Sequence, residues 1–226
     1  MEDTLRSLIL SAVPILFAIT FHEAAHGLAA YRLGDGTAKA MGRLTLNPIV
    51  HIDLLGTIIL PFALYVLTQG RLVFGYAKPV PINPYNFRNP RKGMALSAAA
   101  GPATNFLLAI ISILLISFVL LPLSGFFSPD MRGTVFAPLM GMLRQSVWVN
   151  AVLAALNLFP VPPLDGGRVA VGLLPQRQAF AYSKIEPFGL FIVIIFISTG
   201  IAYYFIGPVM TLILAVVKIF DVGGVL

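Results

Sequence analysis

Long apolar runs alternate with short segments that hold most of the charge. They fall at about 5–31, 54–67, 94–121, 134–158 and 187–220. A helix needs roughly 20 residues to cross about 30 Å of hydrocarbon, so the first, third and fourth runs predict membrane-crossing helices. The second run is short, is bounded by Gly56 and Gly70 and contains Pro61, which predicts a re-entrant or interfacial element. The last run has room for one tilted helix with a tail or for two shorter passes, and Gly207-Pro208 favours two. Between the first and third runs, 42–48 and 72–83 have strand character, and their prolines point to an edge position. An edge strand offers backbone groups to an extended peptide. The expected fold is therefore an all-α polytopic membrane protein with five to six transmembrane or re-entrant segments and a small membrane-associated β element. We expect one domain over 1–226, with a catalytic core at about 5–175 and C-terminal helices at about 187–220.

Composition changes this picture only by excluding alternatives. With 58% hydrophobic and 11% charged residues, the chain has too much apolar surface for a soluble globule of its 226 residues. The first segment opens Met1-Glu2-Asp3 with no basic leader or small-residue cleavage site, so it is expected to be retained. Cysteine is absent, which excludes disulfides and leaves His and carboxylate as metal ligands. The net charge of +6 is explained by topogenic charge and attraction to anionic headgroups. The lipid bilayer is the expected partner; no aromatic-rich basic motif points to nucleic acid.

The chemistry begins at His22-Glu23-Ala24-Ala25-His26, an HExxH pattern inside the first apolar run. Residues four apart share one helix face, so both imidazoles can reach one zinc ion, with Glu23 beside the open position of the metal. Ionisable residues are costly within a membrane segment, by about 2–3 kcal/mol each when charged, so their presence points to function. An HExxHxxGxxH extension is absent, because Arg32 stands where its last histidine would be. The third ligand must come from elsewhere. Of nine acidic residues, Asp165 stands out, since it follows an apolar run and lies in a Pro/Gly-rich break at 157–167. Broken backbone at membrane depth is tolerated where it lines a buried or watery cavity. His51 and Asp53, in a polar junction, are the rivals.

Sidedness bears on the same choice. His22 lies roughly 25 Å along its helix, near the far end of the crossing, and Asp165 lies near the far end of its own run. The two meet only if one full crossing separates them, which makes 94–121 that crossing and 54–67 a re-entrant or interfacial element. Arg32, Lys39, Arg43, Arg71, Lys78, Arg88, Arg91, Lys92, Arg168, Arg177 and Lys184 then share one face, which Lys218 is expected to join, whereas Arg6 and Arg132 lie on the other. By the positive-inside rule the crowded face is cytoplasmic, and the active site lies nearer to it.

His22-Glu-Ala-Ala-His26, Gly101-Pro-Ala-Thr-Asn105 and Asn157-Leu-Phe-Pro-Val-Pro-Pro-Leu-Asp-Gly166 together resemble the site-2 proteases, a family of intramembrane zinc metalloproteases. The resemblance covers about 15–175 and is nearest the compact prokaryotic branch. It implies one Zn2+ held by His22, His26 and Asp165, with Glu23 as catalytic base, in a prokaryotic cell (inner) membrane. It also implies a re-entrant sheet that receives unwound substrate, which maps onto the strand-like stretches and makes Gly75 and Tyr76 candidate substrate contacts. Two departures from the family pattern are expected to limit it: no helix is expected before the HExxH helix, and no PDZ or CBS domain is expected in 226 mostly apolar residues.

The expected reaction is hydrolysis of peptide bonds in or near transmembrane segments of single-pass or signal-peptide-like substrates. Asn157 is the candidate donor to the developing oxyanion, and Asn105 is the alternative and a further candidate for substrate binding. A metal transporter or sensor using the same His and Asp is the other reading, and it would not need Glu23.

Overall fold

The computed structural model describes residues 2–69, 75–220 and 222, and its main elements are helical. They are α1 (Glu2–Arg32), α2 (Leu60–Leu67), α3 (Pro90–Leu115), α4 (Ala137–Asn157), α5 (Asp165–Leu173), α6 (Gln176–Ser183), α7 (Gly189–Ser198) and α8 (Tyr203–Ile219). Three stretches are long and apolar enough to cross a bilayer: Ala12–Arg32, Pro90–Phe126 and Pro129–Asn157. A fourth candidate is the pair Gln176–Phe188 and Phe191–Ser198, bent by 75°.

α1, α3 and α4 form the bundle that carries the site. Asn105 of α3 lies level with Ala18 of α1 and Asn150 of α4, while Ser97 lies level with His26 and Ser112 with Ser146. α3 therefore runs antiparallel to both of its neighbours, and α1 and α4 run in parallel. This single reversal brings the C-terminal ends of α1 and α4 to the same end of the bundle. Small side chains permit the close approach: Ala18, Ala109, Ala151 and Ala154 are fully buried. Lacking a hydrophobic drive in lipid, membrane helices associate through such packing and through interhelical hydrogen bonds. At the other end, Ile113 and Ile116 of the α3 span meet Met140 and Val147 of α4 and Ile213 and Val217 of α8. Outward-facing Phe17, Phe118 and Leu107 are exposed, as expected of surfaces that meet lipid.

The apolar run at 54–67 is too short to cross. It is a π-helical turn at Leu54–Ile59 followed by α2, started by the Asp53 side chain, which accepts from Gly56 N at 2.7 Å. The C-terminal run is divided into two helices, but not at Gly207-Pro208, which lies inside α8. Gly200 takes a φ of +79°, a left-handed conformation open to glycine, and the chain turns there instead.

The expected β element is corrected. No strand occurs among the described residues, and Leu72, Val73 and Phe74 lie outside them. Residues 75–83 are extended without pairing as a sheet, and alternate residues explain why. On one side Tyr76 N donates to Gly56 O at 3.0 Å, Lys78 N to His51 O at 2.9 Å and Val80 N to Glu23 Oε2 at 2.9 Å. The opposite side carries Pro79 and Pro81, which have no N–H to offer a ladder. At 43–48, Thr45 O instead accepts from the His51 ring and Asn47 caps a short turn at Pro48–His51.

Asp35, fully buried just beyond α1, fastens this region. Its carboxylate accepts from Thr37 N and Oγ1, from Asn83 N at 2.7 Å and from Asn86 Nδ2 at 2.7 Å. Burial pushes its pKa up, but the bonds from Thr37, Asn86 and Asn83 outweigh burial and hold it below the usual carboxylate range.

Candidate metal centre

The last turns of α1 project His22 and His26 from one face, and both are buried. Their Nε2 atoms lie 3.0 Å apart. Asp165 Oδ2 approaches them at 3.1 Å and 3.3 Å, and it is also buried. Asp165 is the first residue of α5, delivered by the break between α4 and α5. Gly166 and Gly167 let it come so far inward. A Cβ on Gly166 would strike the carbonyls of Leu158 and Phe159, and one on Gly167 would strike the backbone of Val161 and Pro162.

The outer nitrogen of each ring fixes its tautomer. His22 Nδ1 is bonded to Asn105 Oδ1, and His26 Nδ1 to Ser97 O at 2.7 Å. Both partners only accept, so both Nδ1 atoms carry the proton and both Nε2 atoms present lone pairs. Asp165 Oδ2 adds another lone pair and has no hydrogen-bond donor. Three acceptors facing one another without a proton repel unless a cation lies among them. A four-coordinate centre with bonds of about 2.0–2.1 Å has ligand-to-ligand edges of about 3.3 Å, and the observed triangle fits that size. Among the described residues, His22, His26 and Asp165 form the one group of three or more such side chains that could hold a metal ion.

Gly101 of α3 explains how two imidazoles fit between helices. A Cβ there would fall on His26 Nε2 and His22 Cε1. Beside the group, Glu23 is half-buried and receives Val80 N–H on Oε2. Val80 packs close to Gly27, one turn further along α1.

The other candidates are placed as follows. Asn105 is fully buried and its amide is engaged on every side described: Oδ1 with His22, Nδ2 with Ala18 O at 3.2 Å and Asn150 Oδ1 at 2.7 Å. Asn157, the last residue of α4, donates from Nδ2 to Leu153 O at 3.0 Å. Gly75 and Tyr76 pack on Gly56 and Pro61, beside the π-helical turn. The rivals His51 and Asp53 stay outside the group: His51 Nε2 bonds Thr45 O at 2.9 Å, and Asp53 caps Gly56. Sequence reasoning missed Ser97, Val80 and Asn150. Val80 acts through its backbone N–H, and Ser97 meets the His26 ring through its carbonyl while its hydroxyl donates to His26 O at 3.2 Å. Asn150 had a side-chain signature, a lone amide at mid-span in an apolar helix.

A bundle with bilayer-length helices, an HExxH pair on one of them and a distant aspartate closing the pair, defines a metallopeptidase-type membrane protein. The model of peptidase family M50 matches residues 134–200, the segment that contains Asp165. A relative from Bacillus subtilis (strain 168), named "Putative zinc metalloprotease YwhC", is 36% identical over 198 residues, which cover 88% of this chain and 84% of the relative. Two relatives named "Putative zinc metalloprotease Rip2" are each 28% identical. The one from Mycolicibacterium smegmatis aligns over 87% of this chain and 72% of its own length, and the one from Mycobacterium tuberculosis (strain ATCC 25618 / H37Rv) over 93% and 72%. No solved structure matches the chain significantly. The chain belongs to peptidase family M50, the site-2 proteases.

Proposed function

We propose that this chain is an intramembrane zinc metalloprotease that hydrolyses peptide bonds in or near transmembrane segments of single-pass or signal-peptide-like substrates. The observation that carries this reading is the triangle of His22 Nε2, His26 Nε2 and Asp165 Oδ2, three lone-pair atoms held 3.0–3.3 Å apart with both Nδ1 protons directed away. The relatives' printed names support zinc as the ion.

His22, His26 and Asp165 hold the ion. When bound, zinc supplies a Lewis acid for the scissile carbonyl and lowers the pKa of water towards 7. Glu23, held by Val80 N–H through one oxygen, takes the proton from the attacking water and passes it to the leaving amine. The Asn157 amide has a second N–H to direct at the developing oxyanion. A substrate helix has its own amides satisfied, so it unwinds before cleavage, and the extended segment with Gly75 and Tyr76 is the surface we assign to receive it. The 1–226 chain acts as one catalytic unit in a prokaryotic inner membrane. Arg32, Arg91, Lys92 and Arg168 lie at the end of the bundle that holds the site, which supports a site nearer the cytoplasmic face.

The test is cleavage of a reconstituted membrane substrate by wild type and Glu23→Gln. Loss of cleavage with zinc content retained is expected. Unchanged cleavage overturns the assigned base, and zinc transport by both proteins without cleavage favours a transporter.

A further inference from the structure

Behind His22 runs a chain of buried polar side chains inside an otherwise apolar bundle. Asn105 and Asn150 are at most 1% exposed, and Ser112 is buried. Ser112 Oγ and Ser146 Oγ lie 2.8 Å apart, Ser146 O and Oγ accept from Asn150 Nδ2 at 2.9 and 3.2 Å, and Asn150 Oδ1 accepts from Asn105 Nδ2 at 2.7 Å. Asn105 Oδ1 then accepts from His22 Nδ1. Each amide is oriented by its neighbour. Asn150 gives both of its Nδ2 contacts to Ser146, so only its oxygen faces α3. That oxygen needs a donor, as does Ala18 O of α1, so Asn105 turns its Nδ2 to both and its Oδ1 to His22.

We infer that Asn150 and Asn105 form a relay of positioning residues that fixes the His22 tautomer, keeping the Nε2 lone pair aimed at the metal. The relay rests on the zinc reading above and adds to it a role for α4 in preparing a ligand on α1. It removes Asn105 from the candidates that touch substrate. An amide has two ends, and a flipped Asn105 would put an NH2 against His22 Nδ1, drive the ring proton to Nε2 and block coordination. Asn150 Oδ1, at 2.7 Å from Asn105 Nδ2, and Ala18 O, at 3.2 Å, both need that donor and together make the flip unfavourable. Outer-shell partners of metal-binding histidines commonly contribute a factor of about 10–100 in metal affinity.

The experiment measures zinc affinity of the purified full chain by chelator competition, with the visible spectrum of the Co2+-loaded protein as a report on ligand geometry. Asn105→Leu is expected to weaken zinc binding by about 10–100-fold, and Asn150→Leu by a smaller factor in the same direction. Asn105→Asp restores an acceptor opposite His22 Nδ1 and is expected to bind zinc within a few-fold of wild type, with the wild-type Co2+ spectrum. A residue that only fills space would not be rescued by Asp, whose buried charge is harder to accommodate than Leu. The relay is overturned if Asn150→Leu binds zinc as tightly as wild type, or if Asn105→Asp is as weak as Asn105→Leu. Should Asn105→Leu fail to fold, the Asn150→Leu comparison still decides. Wild-type protein that takes up no zinc overturns the zinc reading itself, and the relay with it.

Discussion

The two ends of one helical bundle are built on different physics. At the site end, α1, α3 and α4 are joined by named polar contacts, His22 to Asn105, His26 to Ser97 and Asn105 to Asn150, and Asp165 of α5 brings a third lone pair to the two imidazoles. At the other end, the same α3 and α4 spans meet α8 through Ile113, Ile116, Met140, Val147, Ile213 and Val217. Apolar packing in lipid tolerates substitution of similar volume, because no partner is left unsatisfied. A polar network is less forgiving, since each lost member strands a buried group. The site end is thus specified by individual atoms and the far end by shape. Arg144 tests the rule from the other direction, because it lies near the middle of Pro129–Asn157 and its Nε is buried without a partner.

Four substitutions and one control probe this contrast. Asp165→Ala has the largest expected effect: zinc measured by elemental analysis falls to background and cleavage is lost, whereas Asp53→Ala keeps zinc at the wild-type level. Gly101→Val comes next, because its side chain occupies the space of the His22 and His26 rings. Metal affinity should fall by more than about 100-fold while circular dichroism shows the helices retained, since valine only modestly disfavours helix. Asp35→Asn addresses stability outside the bundle, with an expected loss of about 1–3 kcal/mol in denaturant unfolding. The sign with pH follows from the lowered pKa of Asp35. Its contribution is fully present above the ordinary carboxylate value of 3.8 and is lost as pH falls through the lower folded value. Wild type should lose stability over that acid window more steeply than the variant. Arg144→Leu has the smallest effect: a modest rise in thermal midpoint with zinc content unchanged, since removing a charge from mid-span relieves an insertion penalty.

Much of the site was legible in the sequence because its residues are rare where they stand. Two histidines within an apolar run and a carboxylate in the break that follows another had few alternatives, and crossing parity correctly required α1 and α4 to run in the same direction. The apolar runs located the three long helices for the same reason, since lipid leaves little freedom in the length of a span. The β element is not seen among the described residues: strand character was read from side-chain types, while pairing depends on the backbone donors that Pro79 and Pro81 remove. The turn at Gly200 was missed because Gly207-Pro208 looked the stronger break, yet α8 carries both residues within it. The Val80 contact with Glu23 is a backbone contact across 57 positions. Nothing in the identity of a valine announces it.

X-ray absorption at the zinc edge of the wild-type protein in lipid reads the ligands of a zinc site split between α1 and α5. The expected result is a four-coordinate nitrogen and oxygen shell at about 2.0–2.1 Å containing two imidazoles, which collapses in Asp165→Ala. A shell with three imidazoles, which would require His51, or one unchanged in Asp165→Ala, would contradict it.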